Sequence, residues 1–145
     1  MAALKATRTA QTVLTAEFTF QIGDTMTNTS GAADAFATVA SHVFDVINLP
    51  VNAIVVGGDV TTETAFTGST AYNISVGDSG SATRYLGATD KTTAARTALV
   101  PTGYVGTGEN IRLTVAPTVA TATAGKATVR VEYIIRNRAN EVISS

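Results

Sequence analysis

Leu49-Pro50-Val51-Asn52-Ala53-Ile54-Val55-Val56-Gly57-Gly58-Asp59-Val60-Thr61-Thr62-Glu63-Thr64-Ala65-Phe66 is the stretch whose reading decides the fold. Its centre, Ala53 to Val56, is an apolar, β-branched run too short for a helix and suited to a buried strand. Gly57-Gly58-Asp59 interrupts the run, as a bulge or tight bend does. Beyond it the pattern alternates, with Val60, Thr62 and Thr64 on one face and Thr61, Glu63 and Ala65 on the other. Pro50 lacks an N–H and has a preset φ, so it marks the entry into the strand. The apolar half, Val51 to Val56, is expected in the domain core. The Thr-rich half, Val60 to Phe66, is expected to meet a neighbouring subunit. Nothing in the stretch reads as catalytic.

Working outward, Thr12 to Ile22 alternates with Leu14, Ala16, Phe18, Phe20 and Ile22 on one side, the period of a half-buried strand. Gly23 to Ala35 reads as a long polar loop, and Phe36 to His42 as a candidate helical turn. Val43 to Ile47 is a second strand. Downstream, Tyr72 to Val76 alternates and ends in Gly77-Asp78-Ser79-Gly80, a dense turn signal. Thr83 to Leu86 is a short apolar-tipped segment followed by polar residues through Thr93. Arg96 to Val100 and Asn110 to Val115 read as strands, and Gly103, Gly106 and Gly108 mark a flexible loop between them. Pro117 to Gly125 is turn-like. Lys126 to Arg138 is a second core strand, with Ala127, Val129, Val131, Tyr133 and Ile135 inward. About eight short strands and little helix predict an all-β chain, an antiparallel sandwich of the jelly-roll type. The expected layout is an extended N-terminal arm (1–11), one β-sandwich domain (12–138) and a C-terminal tail (139–145).

Composition narrows the function classes. At 145 residues the chain suits one domain with one real core. A net charge of −1 and 14% charged residues give no basic footprint for nucleic acid. With 45% hydrophobic residues the chain is expected to fold rather than stay disordered. The absence of cysteine excludes disulfides and thiolate chemistry and fits synthesis in a reducing cytoplasm. Met1 to Arg8 holds no apolar core of a secretory signal, and no apolar run is long enough to span a bilayer, so no membrane partner is expected. Two readings of Met1 to Gln11 stay open, a frayed terminus or an arm that orders on a neighbouring subunit.

Candidate chemistry is sparse. Gly77-Asp78-Ser79-Gly80 spells the tetrapeptide around the nucleophile of trypsin-like proteases, and His42 with Asp45 or Asp59 precedes it in the right order. The match stops there. A nucleophile needs a base within reach and an oxyanion hole, and a hairpin turn uses the same four residues with Asp and Ser bonded to backbone. His42 is the lone histidine, so without cysteine no transition-metal set of the usual type forms within one chain. Asp24, Asp34, Asp45, Asp59, Asp78 and Asp90 are scattered, unlike a calcium loop. Gly103-Tyr104-Val105-Gly106-Thr107-Gly108 lacks the Lys-Ser/Thr ending of a phosphate loop. Arg130, Arg136 and Arg138 cluster near the end, as a solvated sheet face or a surface for an acidic partner. No catalytic, cofactor or metal residues are assigned.

Several segments together carry a resemblance. Leu49-Pro50-Val51-Asn52-Ala53 leads to the Gly57-Gly58-Asp59-Val60 bend, and Val76-Gly77-Asp78 is followed by Thr83-Arg84-Tyr85-Leu86. Pro101-Thr102-Gly103-Tyr104 precedes Asn110-Ile111-Arg112-Leu113-Thr114, and Ala124-Gly125-Lys126-Ala127 runs into Val129-Arg130-Val131-Glu132-Tyr133. This succession, spanning Thr12 to Arg138, resembles small structural proteins of tailed-bacteriophage virions, in particular capsid decoration (cement) proteins. The resemblance implies a β-sandwich, usually a homotrimer, seated on the capsid surface where capsomers of the major capsid protein meet. It implies a virion location, no enzymatic activity and no cofactor. Three other roles remain open: a tail or neck component, a host- or carbohydrate-binding β-module, and a hydrolase using Ser79 and His42.

Overall fold

The computed structural model describes residues 12–136. The expected arm (1–11) and tail (139–145), with residues 137 and 138 of the expected domain, lie outside the described residues.

The described chain is all β. Its strands are β1 (Leu14–Gln21), β2 (Thr25–Thr27), β3 (Ala33–Ala35), β4 (His42–Ile47), β5 (Ala53–Thr67), β6 (Ala71–Gly77), β7 (Leu86–Asp90), β8 (Arg96–Ala98), β9 (Ile111–Thr118) and β10 (Ala124–Ile135). Two four-stranded antiparallel sheets, β1-β10-β5-β8 and β4-β9-β6-β7, face each other, and β2 and β3 form a separate hairpin. Leaving that hairpin aside, the strands pair from the outside in: β1 with β10, β4 with β9, β5 with β8 and β6 with β7. A long hairpin rolled onto itself gives this nested order, which is the jelly roll.

The expected strands at Thr12, Val43, Tyr72, Asn110 and Lys126 are present, with several differences. The loop expected over Gly23 to Ala35 contains the β2–β3 hairpin, whose tip is organised by Asn28 Oδ1 accepting from the amides of Ser30 and Ala32. Phe36 to Ser41 forms turns and bends instead of a helical turn, because Phe36 is drawn into the core. The polar run after Leu86 is strand β7, with Thr89 opposite Ile74 and Asp90 opposite Asn73. Strand β9 continues through Pro117, which the sequence placed in a turn. Pro117 lies opposite Tyr72, whose own backbone N and O point to the β7 side, so the missing N–H faces away from β6. On that far side β4 has already ended, its last pair being His42 with Val115.

Strand β5 departs most from its expected faces. The register slips between Gly57 opposite Glu132 and Val55 opposite Tyr133, leaving Val56 as the extra residue of a bulge. Val56 is therefore 40% exposed and Val51, in the preceding turn, 59% exposed, while Ala53 and Val55 are core. A second slip places Thr64 opposite Lys126 directly after Thr62 opposite Ala127, which turns Thr64 outward. Val60, Thr62 and Phe66 are buried inside the domain and so cannot form the expected subunit contact.

All five phenylalanines and Tyr72 lie in one aromatic column between the sheets. Phe36 sits between Phe20 and Phe44, with centroids at 4.7 and 4.5 Å. Phe66 joins Phe20 at 5.8 Å and stacks on Tyr72 at 4.0 Å. Aromatic pairs at such spacings add ~0.5–1.5 kcal/mol each beyond the area they bury. Gly125 makes room for the column, since a Cβ there would sit 2.1 Å from Cδ1 of Phe66.

Candidate functional site

The serine-protease residues do not assemble. His42 opens β4 opposite Val115, whereas Gly77 closes β6 opposite Arg112. With β9 between their strands, those two positions are also offset by roughly 10 Å along the sheet at ~3.4 Å per residue. Ser79 lies further out, exposed in the turn beyond Gly77. Both ring nitrogens of His42 already face acceptors, Nδ1 at 2.9 Å from Asp34 Oδ2 and Nε2 at 3.1 Å from the Thr38 carbonyl. His42 therefore ties the β2–β3 hairpin to β4 and has no nitrogen left for a serine. Asp45 accepts from Arg112 Nε at 2.8 Å, and Asp59 from Arg96 Nε at 2.9 Å.

Gly77-Asp78-Ser79-Gly80 is a turn held by Asp78. Its Oδ1 accepts from the amides of Gly80 and Ser81, both at 2.9 Å. Arg84 grips both carboxylate oxygens, Nε to Oδ2 at 2.5 Å and Nη2 to Oδ1 at 3.2 Å. That bond to Asp78 raises the Arg84 pKa. The guanidinium lies 3.7 Å above the Tyr104 ring, and the Tyr104 hydroxyl donates to Glu109 at 2.5 Å. Thr107 adds its amide and hydroxyl to the Glu109 carboxylate, at 2.6 and 2.8 Å. Hydrogen bonds to the charged form, first from Tyr104 and then from backbone amides and Thr107, pull the Glu109 pKa down to about 2. Beside them burial pushes the Tyr85 phenol up to about 12. The loop expected to be flexible is thus fastened at Tyr104 and Glu109, and at Gly106, which bonds Asn52 and Ala53 through its backbone. Asp78 with Arg84, and Tyr104 with Glu109, are local turn pairs. Their stacking across two loops had no signal in the sequence.

The outer face of β1-β10-β5 is also internally satisfied. Arg130 bonds Glu17 at 2.7 Å and lies 3.5 Å from Asp59, so its charge is balanced within the chain rather than offered to an acidic partner. Thr19 and Thr128 share a hydrogen bond of 2.8 Å, Thr128 donates to Glu63, and Lys126 pairs with Glu63. Exposed pairs of this kind contribute only ~0–1 kcal/mol each, so they neutralise the face more than they stabilise the fold. Arg136 is exposed at the end of β10, and Arg138 lies outside the described residues. Asp24 and Asp90 cap turns through the amides of Gln21 and Thr92. Among the described residues no three His, Cys, Asp or Glu side chains gather to hold a metal ion. No helix among them is long and apolar enough to cross a membrane.

What these surfaces define is a jelly-roll domain whose polar side chains are largely spent on one another. No known family profile and no curated protein matches the sequence. Solved structures do match. The chain is similar to a chain of the cyanophage Pam1 capsid asymmetric unit, at 28% identity and TM-score 0.63, covering 92% of this chain and 94% of that one. It is similar in fold to a chain of the Ralstonia phage GP4 capsid, at 16% identity and TM-score 0.58, covering 92% and 91%. A chain of the acid-stable capsid of Helicobacter pylori bacteriophage KHP30 shares the fold at 15% identity and TM-score 0.52, covering 83% and 92%.

Proposed function

We propose that the chain is a non-enzymatic structural protein of a bacteriophage capsid. The observation that carries this reading is the likeness to a chain of the cyanophage Pam1 capsid, at 28% identity over 92% of the chain. Within that class the reading is a decoration protein that seats as a homotrimer between capsomers of the major capsid protein on the outside of the head. The internal pairing of Arg130, Glu17 and Asp59, and of Lys126 with Glu63, supports a role that presents shape rather than charge.

The physics of such a role is linkage. A protein that binds only the assembled shell stabilises it by the free energy of binding, and many copies on one lattice multiply the effect. The domain must then be rigid, so that little of that energy goes into ordering it. The aromatic column and the Asp78–Arg84–Tyr104–Glu109 chain of contacts supply that rigidity. The test is addition of the purified protein to heads made without it. Saturable binding and a higher temperature of genome release are expected, with a trimer in light scattering. Absence of binding, or binding to isolated tails instead, contradicts the capsid reading, and a monomer at micromolar concentration contradicts the trimer.

A further inference from the structure

Strand β1 is the outermost strand of its sheet, and its far edge is open. The Ile22 amide donates to the Gly125 carbonyl at 3.1 Å, and the register runs unbroken from there back to Leu14 opposite Tyr133. Backbone groups alternate sides along a strand. Leu14, Ala16, Phe18 and Phe20 therefore turn theirs to β10, while Thr15, Glu17, Thr19 and Gln21 turn theirs outward. Gln21 is closed off by Asp24, whose Oδ2 accepts from its amide and whose own amide donates to its carbonyl, both at 3.0 Å. Among the described residues nothing bonds the amides and carbonyls of Thr15, Glu17 and Thr19. Three donors and three acceptors in a row are a template for one more strand.

The inner face beside this edge is unfinished as well. Phe20 is buried, but Phe18, Ala16 and Leu14 are only half-buried. So is Val46 on β4, the edge strand of the facing sheet that β1 touches. On the outer face Glu17 is exposed beside the edge, and Glu132 lies opposite Thr15. A strand that fits here has apolar side chains on its inner face, a cation on its outer face, and no proline.

The chain itself contains such a segment. Residues 1–11, Met-Ala-Ala-Leu-Lys-Ala-Thr-Arg-Thr-Ala-Gln, hold neither proline nor glycine. Set with Lys5 opposite Glu17, the segment places Ala3, Lys5 and Thr7 on the outer face against Thr15, Glu17 and Thr19. Leu4 and Ala6 then fall on the inner face beside Ala16 and Phe18. The segment has no turn with which to reach its own β1: residues 8–13, Arg-Thr-Ala-Gln-Thr-Val, lead straight into Leu14 and hold no Gly, Pro, Asn or Asp. Two β1 strands from two copies fill the edge less well. The register that uses all three rungs sets Glu17 opposite its own copy, a like-charge pair, and the two-fold axis closes a dimer instead of a ring of three.

We propose that Ala2–Thr7 of a second copy of this chain adds as a strand to the free edge of β1, each subunit passing its segment to the next around a closed ring. The inference rests on the homotrimer reading above and deepens it, since a head-to-tail handover of this kind closes into a ring.

The chain has no cysteine, so an introduced pair reports the contact cleanly. Residues directly opposite on antiparallel strands lie about 5.5 Å apart at Cα, within the span of a disulfide. Oxidised protein carrying both Lys5→Cys and Glu17→Cys is expected to run as covalent dimers and trimers on a non-reducing gel, and Glu17→Cys alone as a monomer. A bridge confined to one chain, no bridge at all, or a dimer from Glu17→Cys alone overturns the exchange. Two further variants weaken the contact from either side. Thr15→Pro removes an outward amide without touching the ladder to β10, and Leu4→Asp puts a charge on the inner face. Both are expected to keep the β-sheet circular dichroism of the wild type. Both should raise the concentration at which the trimer dissociates in light scattering by about tenfold or more. Wild-type trimers in both variants overturn the exchange and leave the trimer and capsid readings intact. A wild-type protein that stays monomeric overturns the trimer together with the exchange, and leaves the capsid reading to the binding of heads.

Discussion

The hydroxyl of Tyr72, on β6, donates a 2.8 Å hydrogen bond to the main-chain carbonyl of Phe36, in the segment between β3 and β4. Tyr72 is fully buried, and burial raises its pKa, so the phenol stays a proton donor beyond the pH at which an exposed tyrosine ionises. The bond satisfies a carbonyl that no strand reaches and pins the Phe36 ring into the aromatic column. Tyr72→Phe leaves that carbonyl without its partner and is expected to cost about 1–2 kcal/mol in urea denaturation. A change below about 0.5 kcal/mol would show that the bond holds nothing in place.

Gly125 and Phe66 form the tightest steric pair in the core. The added Cβ of Gly125→Ala would lie 2.1 Å from the Phe66 ring, and Gly125 has φ 149°. The ring must move, and it carries its stack with Tyr72. The expected loss is about 2–3 kcal/mol, in the range of overpacked cores. Phe66→Leu in the same chain is expected to recover part of it, so a double-mutant cycle should give a favourable coupling energy. Strict additivity would place the strain in the backbone alone.

Glu109 makes stability depend on acid. Its folded pKa, about 2, lies below the ordinary 4.5 of a glutamate. A depressed carboxyl contributes stability that is complete above the unfolded value and is lost as pH falls through the folded one. Melting temperatures measured between pH 6 and pH 2 should therefore fall less steeply in Glu109→Gln than in the wild type. Parallel curves would contradict the contacts with Tyr104 and Thr107.

Lys91 predicts a further gain of stability with rising pH, on the alkaline side. It is 1% exposed, and its ammonium donates to Thr97 Oγ1. Burial lowers its pKa below the ordinary 10.5. The folded state thus bears the cost of a buried cation at neutral pH and sheds it first as pH rises, so stability gains until the unfolded chain also deprotonates. Relative to Lys91→Met, the wild type should gain stability between pH 8 and pH 10. Lys91→Met should be as stable as wild type or more so at pH 7, and a loss of more than about 2 kcal/mol there would contradict the burial cost.

The fold was largely legible because strands of two-residue period announce themselves. Phe18 and Phe20 in β1, Leu113 and Val115 in β9, and Val129 and Val131 in β10 alternate as read. What escaped were features that depend on a partner strand. The bulge that exposes Val56 and the slip that turns Thr64 outward exist only against β10. Strand β7 was hidden because Gly87, Ala88 and Thr89 carry little apolar signal. Pro117 looked like a terminator, yet it sits where β4 has already ended. The surfaces were harder still. Arg130 read as an offered charge, but Glu17 and Asp59 reach it from strands 113 and 71 residues away in sequence (130 − 17 and 130 − 59).

The central claim is that this chain is part of a phage head. Image reconstruction of the intact particle tests it most directly. The expected result is jelly-roll density of two four-stranded sheets on the outer shell, at the junctions between capsomers. Jelly-roll density confined to the tail or neck, or a particle that lacks the chain altogether, would contradict it.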